Sequence, residues 1–187
     1  MEIKPQLPAC ISRIVLVGFM GAGKSTVGDL LARRLHWRFL DADRVLENRV
    51  QKPIADIFAE DGEAAFRKLE AEVVRELLHE SHLVLAMGGG AIETAAIREA
   101  LFRSPETCIV HLEAPLEIMI SRCEQQPDAA LRPLLRDRER LSQRLASRLP
   151  HYRNAHLAIQ TASLTPEETS RQILHAVSAL LKENTLA

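Results

Sequence analysis

Short runs of apolar and β-branched residues alternate along this chain with longer stretches in which apolar positions recur every three or four residues. The short runs are typical of buried strands, and the periodic stretches of amphipathic helices. The pattern predicts five strands, at 14–18, 38–41, 83–87, 108–113 and 156–161. It predicts helices at 24–35, 62–78, 94–103, 116–123, 138–148 and 166–181. Such alternation is typical of a parallel sheet covered on both faces, so we expect a three-layer α/β/α fold.

The length and composition of the chain limit the number of domains and the classes of binding partner to expect. The chain has 187 residues, which suits one compact domain over 1–187 with an N-terminal extension at 1–12. Lys plus Arg (24) nearly balances Asp plus Glu (25), so no net field marks a nucleic-acid or membrane partner. The three cysteines lack CxxC spacing and the N-terminus lacks an apolar run. We therefore expect buried thiols and a cytoplasmic location. Separately, we expect a monomer.

A glycine-rich stretch, GFMGAGKS at 18–25, lies between the first predicted strand and the first predicted helix. Sequence and context match the P-loop, in which backbone N–H groups and a helix N-terminus hold phosphate oxygens. Lys24 is expected to reach the β- and γ-phosphates of a nucleotide, and Ser25 to offer its hydroxyl to Mg²⁺. The expected nucleotide contacts are Gly21, Ala22, Gly23, Lys24, Ser25 and Thr26.

The P-loop alone does not separate kinases from GTPases, motor ATPases or binding modules. The chain has no Asn-Lys-x-Asp guanine-reading motif and no long apolar strand that ends in an Asp-Glu pair. The remaining motifs must therefore distinguish a small-molecule kinase from a P-loop module without catalysis.

An Asp-x-Asp pair ends the second predicted strand, at Asp41 and Asp43. If the strand persists, both side chains point to one face at its carboxyl end, where open α/β sheets bind ligands. Asp41 would then hold Mg²⁺ through a water, and Asp43 would accept a proton from an attacking hydroxyl or orient it. The alternative is that Asp43 only caps a following helix at 44–50.

The helix predicted at 62–78 carries Glu63, Arg67 and Glu70 on one face, beside its apolar stripe. Salt bridges on an exposed helix are one explanation of this spacing. The other is that Arg67 binds a substrate carboxylate through two parallel hydrogen bonds, with Glu70 fixing the guanidinium group.

Two further segments have little side-chain pattern. Three glycines at 88–90 follow the third predicted strand, which indicates either a tight turn to a helix or close approach by a ligand. The segment 124–137 holds two prolines and two arginines with little periodicity, which predicts a mobile loop with a function or a disordered surface insertion.

In order along the chain, these motifs resemble those of the shikimate kinase family. The matching stretches are GFMGAGKS at 18–25, LDAD at 40–43, FAEDGEAAFRKLE at 58–70, GGG at 88–90, LRPLL at 131–135 and RLPHY at 148–152. The resemblance implies a nucleoside-monophosphate-kinase-like P-loop fold with strand order 2-3-1-4-5 and a mobile lid at 124–137. It also implies Mg²⁺-dependent transfer of the γ-phosphoryl of ATP to the 3-hydroxyl of shikimate, a step toward aromatic amino acids.

The resemblance assigns roles residue by residue. Asp43 matches the residue that binds shikimate hydroxyls and is the proposed base, and Arg67 and Arg148 match the arginines that bind its carboxylate. The other positions that match the acceptor pocket are Phe58, Phe66, Glu70, Gly88, Gly89, Gly90, Pro133 and Leu134. Arg132 matches the lid arginine at the phosphates, where it joins Lys24 in catalysis, and Arg122 matches the arginine that stacks on adenine.

Two rival functions remain open from the sequence. One is a kinase of the same fold that acts on gluconate or a nucleoside monophosphate. The other is a non-catalytic P-loop binding module.

Overall fold

The fold is built on a five-stranded parallel sheet, here in a computed structural model that describes residues 11–104, 106–125, 135 and 137–185. The strands are β1 (Arg13–Val17), β2 (Arg38–Asp41), β3 (Leu83–Ala86), β4 (Thr107–Glu113) and β5 (Leu157–Gln160). Their order in the sheet is β2-β3-β1-β4-β5, and every pair is parallel. The predicted fold class and strand order are both confirmed.

Eight α-helices connect or flank the strands within the described residues. They are α1 (Lys24–Leu35), α2 (Ala42–Val50), α3 (Ile54–Glu60), α4 (Gly62–Leu77), α5 (Ala95–Phe102), α6 (Leu116–Glu124), α7 (Arg138–Tyr152) and α8 (Pro166–Thr185). Every residue of β1 and β3 is buried, as expected for central strands covered on both faces. Within the described ranges, no helix has the length and apolarity needed to cross a membrane.

The order of the strands positions the motifs. The P-loop follows β1, the Asp-x-Asp pair ends β2 and the three glycines follow β3. These are neighbouring strands, with Asp41 of β2 and Leu16 of β1 both in register with Ala86 of β3. Because parallel strands end at the same edge of a sheet, three segments separated along the chain meet at one place.

Several helices differ from the sequence predictions, including α8, which runs to Thr185 and not to 181. Helix α3 was not predicted, because seven residues are too few to establish a helical repeat and Pro53 precedes it. Helix α7 was expected to end at 148 but continues through Pro150 to Tyr152. Proline near a helix end removes a single N–H donor, and the added turn brings Tyr152 onto the same face as Arg148.

The prediction of buried cysteines is confirmed where the structure describes them. Cys108 and Cys123 are buried, and burial raises the pKa of the Cys108 thiol to about 12. Cys10 lies outside the described residues. At the start of α8, the Thr165 N–H donates to Glu168 Oε2 (2.8 Å), and the Glu168 N–H donates to Thr165 Oγ1 (3.2 Å).

Candidate active site

The P-loop, which lies between β1 and α1, makes a tight turn at Gly21. Gly21 has a φ of 72°, and a β-carbon there would lie 2.0 Å from the carbonyl oxygen of Met119. Only glycine fits this turn. Thr26, also a predicted contact, is exposed in the first turn of α1, which begins directly after the loop.

Lys24 lies at the loop, as predicted. Its Nζ donates to the carbonyl oxygens of Gly18 (2.8 Å) and Phe19 (3.0 Å). Burial lowers the pKa of Lys24 to about 8, although the nearby Asp43 and Asp41 carboxylates oppose that shift. An anionic ligand at the loop would offset the cost of burying this ammonium group.

Ser25 and Asp41, the predicted Mg²⁺ ligands, lie within hydrogen-bonding distance of each other. The Ser25 hydroxyl donates to Asp41 Oδ2 over 2.7 Å, and Asp41 Oδ1 accepts the N–H of Asp43 over 3.1 Å. A hydroxyl and a carboxylate suit Mg²⁺, which keeps several waters and binds few protein groups. Among the described residues, no three His, Cys, Asp or Glu side chains cluster as a larger metal site would require.

The prediction that Asp41 and Asp43 lie on one face of a continuing strand is wrong. Strand β2 ends at Asp41, and α2 begins at Ala42 with Asp41 as its N-cap. The alternative, that Asp43 is the cap, is also wrong, because Asp43 stands in the first turn of α2. Asp43 still faces the site, since a β-carbon on Gly88 would lie 2.6 Å from its Oδ1. Burial and the neighbouring Asp41 raise the pKa of Asp43 to about 6, while Lys24 opposes the shift.

Arg67 is held by carboxylates of its own helix. Its Nη1 donates to Glu70 Oε2 (2.8 Å), and its Nη2 donates to Glu63 Oε1 (3.1 Å). The Glu70 side chain is only 3% exposed, whereas that of Glu63 is 68% exposed. The bond to Glu70 is therefore not the salt bridge of an exposed helix, because it fixes the guanidinium group beside a buried acid.

Arg148 approaches the same place from α7. Its guanidinium group is nearly buried, and its Cζ lies 5.7 Å from the centre of the Phe19 ring in the P-loop. Glu93 Oε2 accepts from Arg148 Nε (3.0 Å) and pairs with its Nη2 (2.9 Å). The sequence analysis missed Glu93, because its partner is 55 residues away and no motif marks it.

The three glycines join the acidic and basic parts of the site. A β-carbon on Gly88 would meet Asp43 and Glu70, and one on Gly90 would meet the guanidinium groups of Arg67 (2.6 Å) and Arg148 (3.0 Å). A β-carbon on Gly89 would lie 3.7 Å from the Gly18 carbonyl oxygen of the P-loop. Asp43 and both arginines therefore converge on one turn beside the phosphate loop.

We expect the first and last glycines of this turn to have separable roles. Gly88→Ala should push the Asp43 carboxylate away and lower kcat, roughly 10- to 100-fold, because small displacements of reacting groups are costly. Gly90→Ala should displace the two guanidinium groups and act mainly on KM of the acceptor. Steady-state kinetics of both variants check this, and the same change in kcat and KM for both would contradict it.

Two aromatic residues of the predicted acceptor pocket contact each other. The Phe58 and Phe66 rings lie 4.6 Å apart, and the Arg67 Cζ lies 5.2 Å from the centre of the Phe66 ring. Phe66 is buried, but Phe58 is 38% exposed. An exposed aromatic ring beside a polar cleft offers apolar surface to a ligand.

Tyr152, on α7, contacts the backbone of the glycine turn, a role that the sequence analysis did not assign. Its hydroxyl donates to the Gly89 carbonyl oxygen over 2.5 Å, and its ring stacks on His111 at 4.9 Å. The side chain is 1% exposed, and burial raises the pKa of its hydroxyl. Tyr152 therefore ties α7 to the turn at Gly89.

Arg122, the predicted adenine contact, lies against the P-loop. Its Nη1 donates to Thr161 Oγ1 (2.9 Å) and its Nη2 to the Thr161 carbonyl oxygen (2.6 Å), with the Gly21 carbonyl oxygen 3.5 Å away. Thr161 Oγ1 also lies 3.4 Å from the carbonyl oxygen of Ala22. The three predicted lid contacts, Arg132, Pro133 and Leu134, lie outside the described residues.

Known proteins are similar to this chain in sequence and in fold. The family model described as shikimate kinase matches residues 20–178. A shikimate kinase of Thermus thermophilus is 39% identical over 173 residues, which cover 90% of this chain and 91% of that protein.

Two solved structures illustrate the structural likeness. The shikimate kinase from Acinetobacter baumannii in complex with shikimate has a TM-score of 0.82 at 38% identity, covering 95% of this chain and 96% of that one. A gluconokinase from Sinorhizobium meliloti has a TM-score of 0.58 at 20% identity, covering 94% and 95%, which shows the fold alone. The sequence match over most of both chains, together with the assembled motifs, shows that this chain belongs to the shikimate kinase family.

Proposed function

We propose that this protein transfers the γ-phosphoryl group of ATP to the 3-hydroxyl of shikimate, giving shikimate 3-phosphate and ADP, in a monomer located in the cytoplasm. The observation that carries the proposal is the convergence of Asp43, Arg67 and Arg148 on the Gly88–Gly90 turn, next to the P-loop. A small acid with neighbouring hydroxyls needs guanidinium groups at one end and a carboxylate at the other. The solved relative from Acinetobacter baumannii supports the choice of substrate, because it is a complex with shikimate.

The proposed catalysis depends on positioning of the substrate and on neutralisation of charge on the transferred phosphoryl group. Arg67 and Arg148 hold the substrate carboxylate, and Asp43 orients the 3-hydroxyl and receives its proton as the oxygen attacks the γ-phosphorus. The bond from that phosphorus to the β–γ bridging oxygen breaks, and ADP leaves. Lys24 neutralises charge on the transferred group, in the manner general to phosphoryl transfer.

Mg²⁺ would be held by Ser25 and, through water, by Asp41, whose oxygens are already hydrogen-bonded to each other. When bound, the ion neutralises charge on the β- and γ-phosphate oxygens. The other phosphate and base contacts proposed are Gly21, Ala22, Gly23, Thr26, Arg122 and Arg132. Within the lid at 124–137, Arg132 would meet the phosphates while Pro133 and Leu134 cover shikimate, so that closure excludes water.

The pH dependence follows from two shifted groups. The pKa of Asp43 is raised to about 6, so its carboxylate is ionised above that pH and becomes protonated as the pH falls through it. The pKa of Lys24 is lowered to about 8, so its charge is lost as the pH rises through that value. With both substrates well below KM, we expect a bell-shaped rate profile with limbs near these two values. A flat profile from roughly pH 5 to pH 9 would contradict the two roles.

A substrate panel with coupled ADP detection tests the proposal. Purified protein with ATP and Mg²⁺ should release ADP in the presence of shikimate, and mass spectrometry should find a phosphorylated product in equal amount. Gluconate or a nucleoside monophosphate as the preferred acceptor would assign a different kinase activity. No ADP release with any acceptor would indicate a P-loop binding module without catalysis.

A further inference from the structure

Glu93 places a carboxylate between the two arginines of the site. It belongs to the short 3-10 turn Ala91–Glu93, directly after the three glycines. Its Oε2 lies 2.9 Å from Arg148 Nη2, 3.0 Å from Arg148 Nε and 3.9 Å from Arg67 Nη2. One oxygen of a side chain without an assigned role therefore contacts both groups that the proposed function uses.

Each arginine has a carboxylate that fixes its direction. Arg67 has the buried Glu70, at 2.8 Å. For Arg148, Glu93 is the only carboxylate within 4 Å in the part of the chain that the structure describes. The Arg148 side chain is 10% exposed and that of Glu93 is 36% exposed, so solvent competes only weakly for the guanidinium group. Without Glu93, a nearly buried cation would stand unpaired beside a second cation at Gly90.

Glu93 occupies only one edge of the Arg148 guanidinium group, which also has a side-chain hydrogen bond with Tyr152. Glu93 takes the edge formed by Nε and Nη2, and Nη1 points toward Gly89, 3.6 Å from the position of a β-carbon on that residue. Gly89 lies beside the P-loop carbonyl of Gly18, on the side where the acceptor must sit. Side-on pairing thus holds the planar guanidinium group while one end still faces the substrate.

We propose that Glu93 is a positioning residue for the acceptor's carboxylate. It sets the orientation of Arg148 and reduces the repulsion between Arg148 and Arg67. The inference rests on the proposed function, since it takes the two arginines as the site of that carboxylate. The opposite possibility, that Glu93 occupies the carboxylate's place and competes with it, predicts a change in KM of the opposite sign.

Two variants of Glu93 test the inference against a matched control. Glu93→Ala should raise KM for shikimate on the order of tenfold, the effect of losing one charge-assisted hydrogen-bond pair. Its kcat and its KM for ATP should stay within about twofold of wild type, because Glu93 pairs with Arg148 and Arg67 and not with the P-loop or Asp43. Glu93→Gln, which keeps an acceptor oxygen but no charge, should fall between wild type and Glu93→Ala. The control is Glu99→Gln on α5, where an exposed glutamate pairs with Arg103 instead.

The outcomes separate this inference from the proposed function. Thermal denaturation first confirms that each variant is folded. A KM for shikimate that falls would identify Glu93 as a competitor, and an unchanged KM would assign it no role, so either result overturns the inference. Arg148→Ala is measured in parallel: if it raises KM and Glu93→Ala does not, only the inference fails. If Arg148→Ala also leaves KM unchanged, the proposed carboxylate site itself is wrong.

Discussion

Asp43→Asn is expected to lower kcat by roughly 10²- to 10⁴-fold, the range that a positioned proton acceptor contributes. Asparagine keeps the size of the side chain and can still contact the hydroxyl, but it cannot take the proton. ATP binding should persist, because Lys24 and the backbone of the P-loop do not depend on that proton. Steady-state kinetics give kcat, and calorimetric titration of ATP gives the nucleotide affinity of the same preparation.

Asp56→Asn is the matched control for this prediction. Asp56 also stands in the first turn of a helix, α3, but it is exposed and no assigned contact involves it. We expect its kcat to equal that of wild type. Near-normal turnover by Asp43→Asn would remove Asp43 from the chemistry and leave it an ordinary first-turn acid at a helix N-terminus.

Arg67→Ala is expected to raise KM for shikimate by roughly two orders of magnitude with a smaller change in kcat, because it removes a planar, two-pronged grip on the carboxylate. The substitution also leaves Glu70 buried and unpaired. Arg67→Lys is therefore a useful second variant. It retains a positive charge beside Glu70 but cannot donate the two parallel hydrogen bonds of a guanidinium group. The measurement is initial rate against shikimate concentration at saturating ATP.

Arg75→Ala, from the same helix, controls for loss of a positive charge on α4. Arg75 is exposed, and its substitution should leave KM unchanged. A shikimate analogue in which the carboxylate is reduced to an alcohol adds a further check. Wild type and Arg67→Ala should differ little toward that analogue, and an equally large difference would mean that Arg67 does not act on the carboxylate.

The sequence was sufficient for those parts of the site that depend on local pattern. The residues of the P-loop are contiguous in sequence. The positions of its glycines, Lys24 and Ser25 can therefore be predicted wherever this motif lies between a strand and a helix. The order of the strands could be inferred only through the family resemblance, because pairing in a parallel sheet leaves no local mark on β1 or β3.

Contacts between segments that are far apart along the chain could not be predicted from the sequence. The end of β2 was predicted at the correct residue, but the start of α2 was not, because Asp41 serves equally well as a last strand residue and as an N-cap. Glu93 and Tyr152 act on partners 55 and 63 residues away, and only the folded chain places them there. The helix predicted to end at 148 continues through Pro150 to Tyr152, a position from which Tyr152 reaches the Gly89 carbonyl oxygen.

A crystal structure of the protein with ADP, Mg²⁺ and shikimate tests the central claim most directly. The carboxylate should lie within hydrogen-bonding distance of both Arg67 and Arg148, against Gly90. The 3-hydroxyl should lie beside an Asp43 oxygen and face the nucleotide's phosphates. Shikimate bound with its carboxylate away from the two arginines, or with Asp43 directed away from the hydroxyl, would contradict the proposed function.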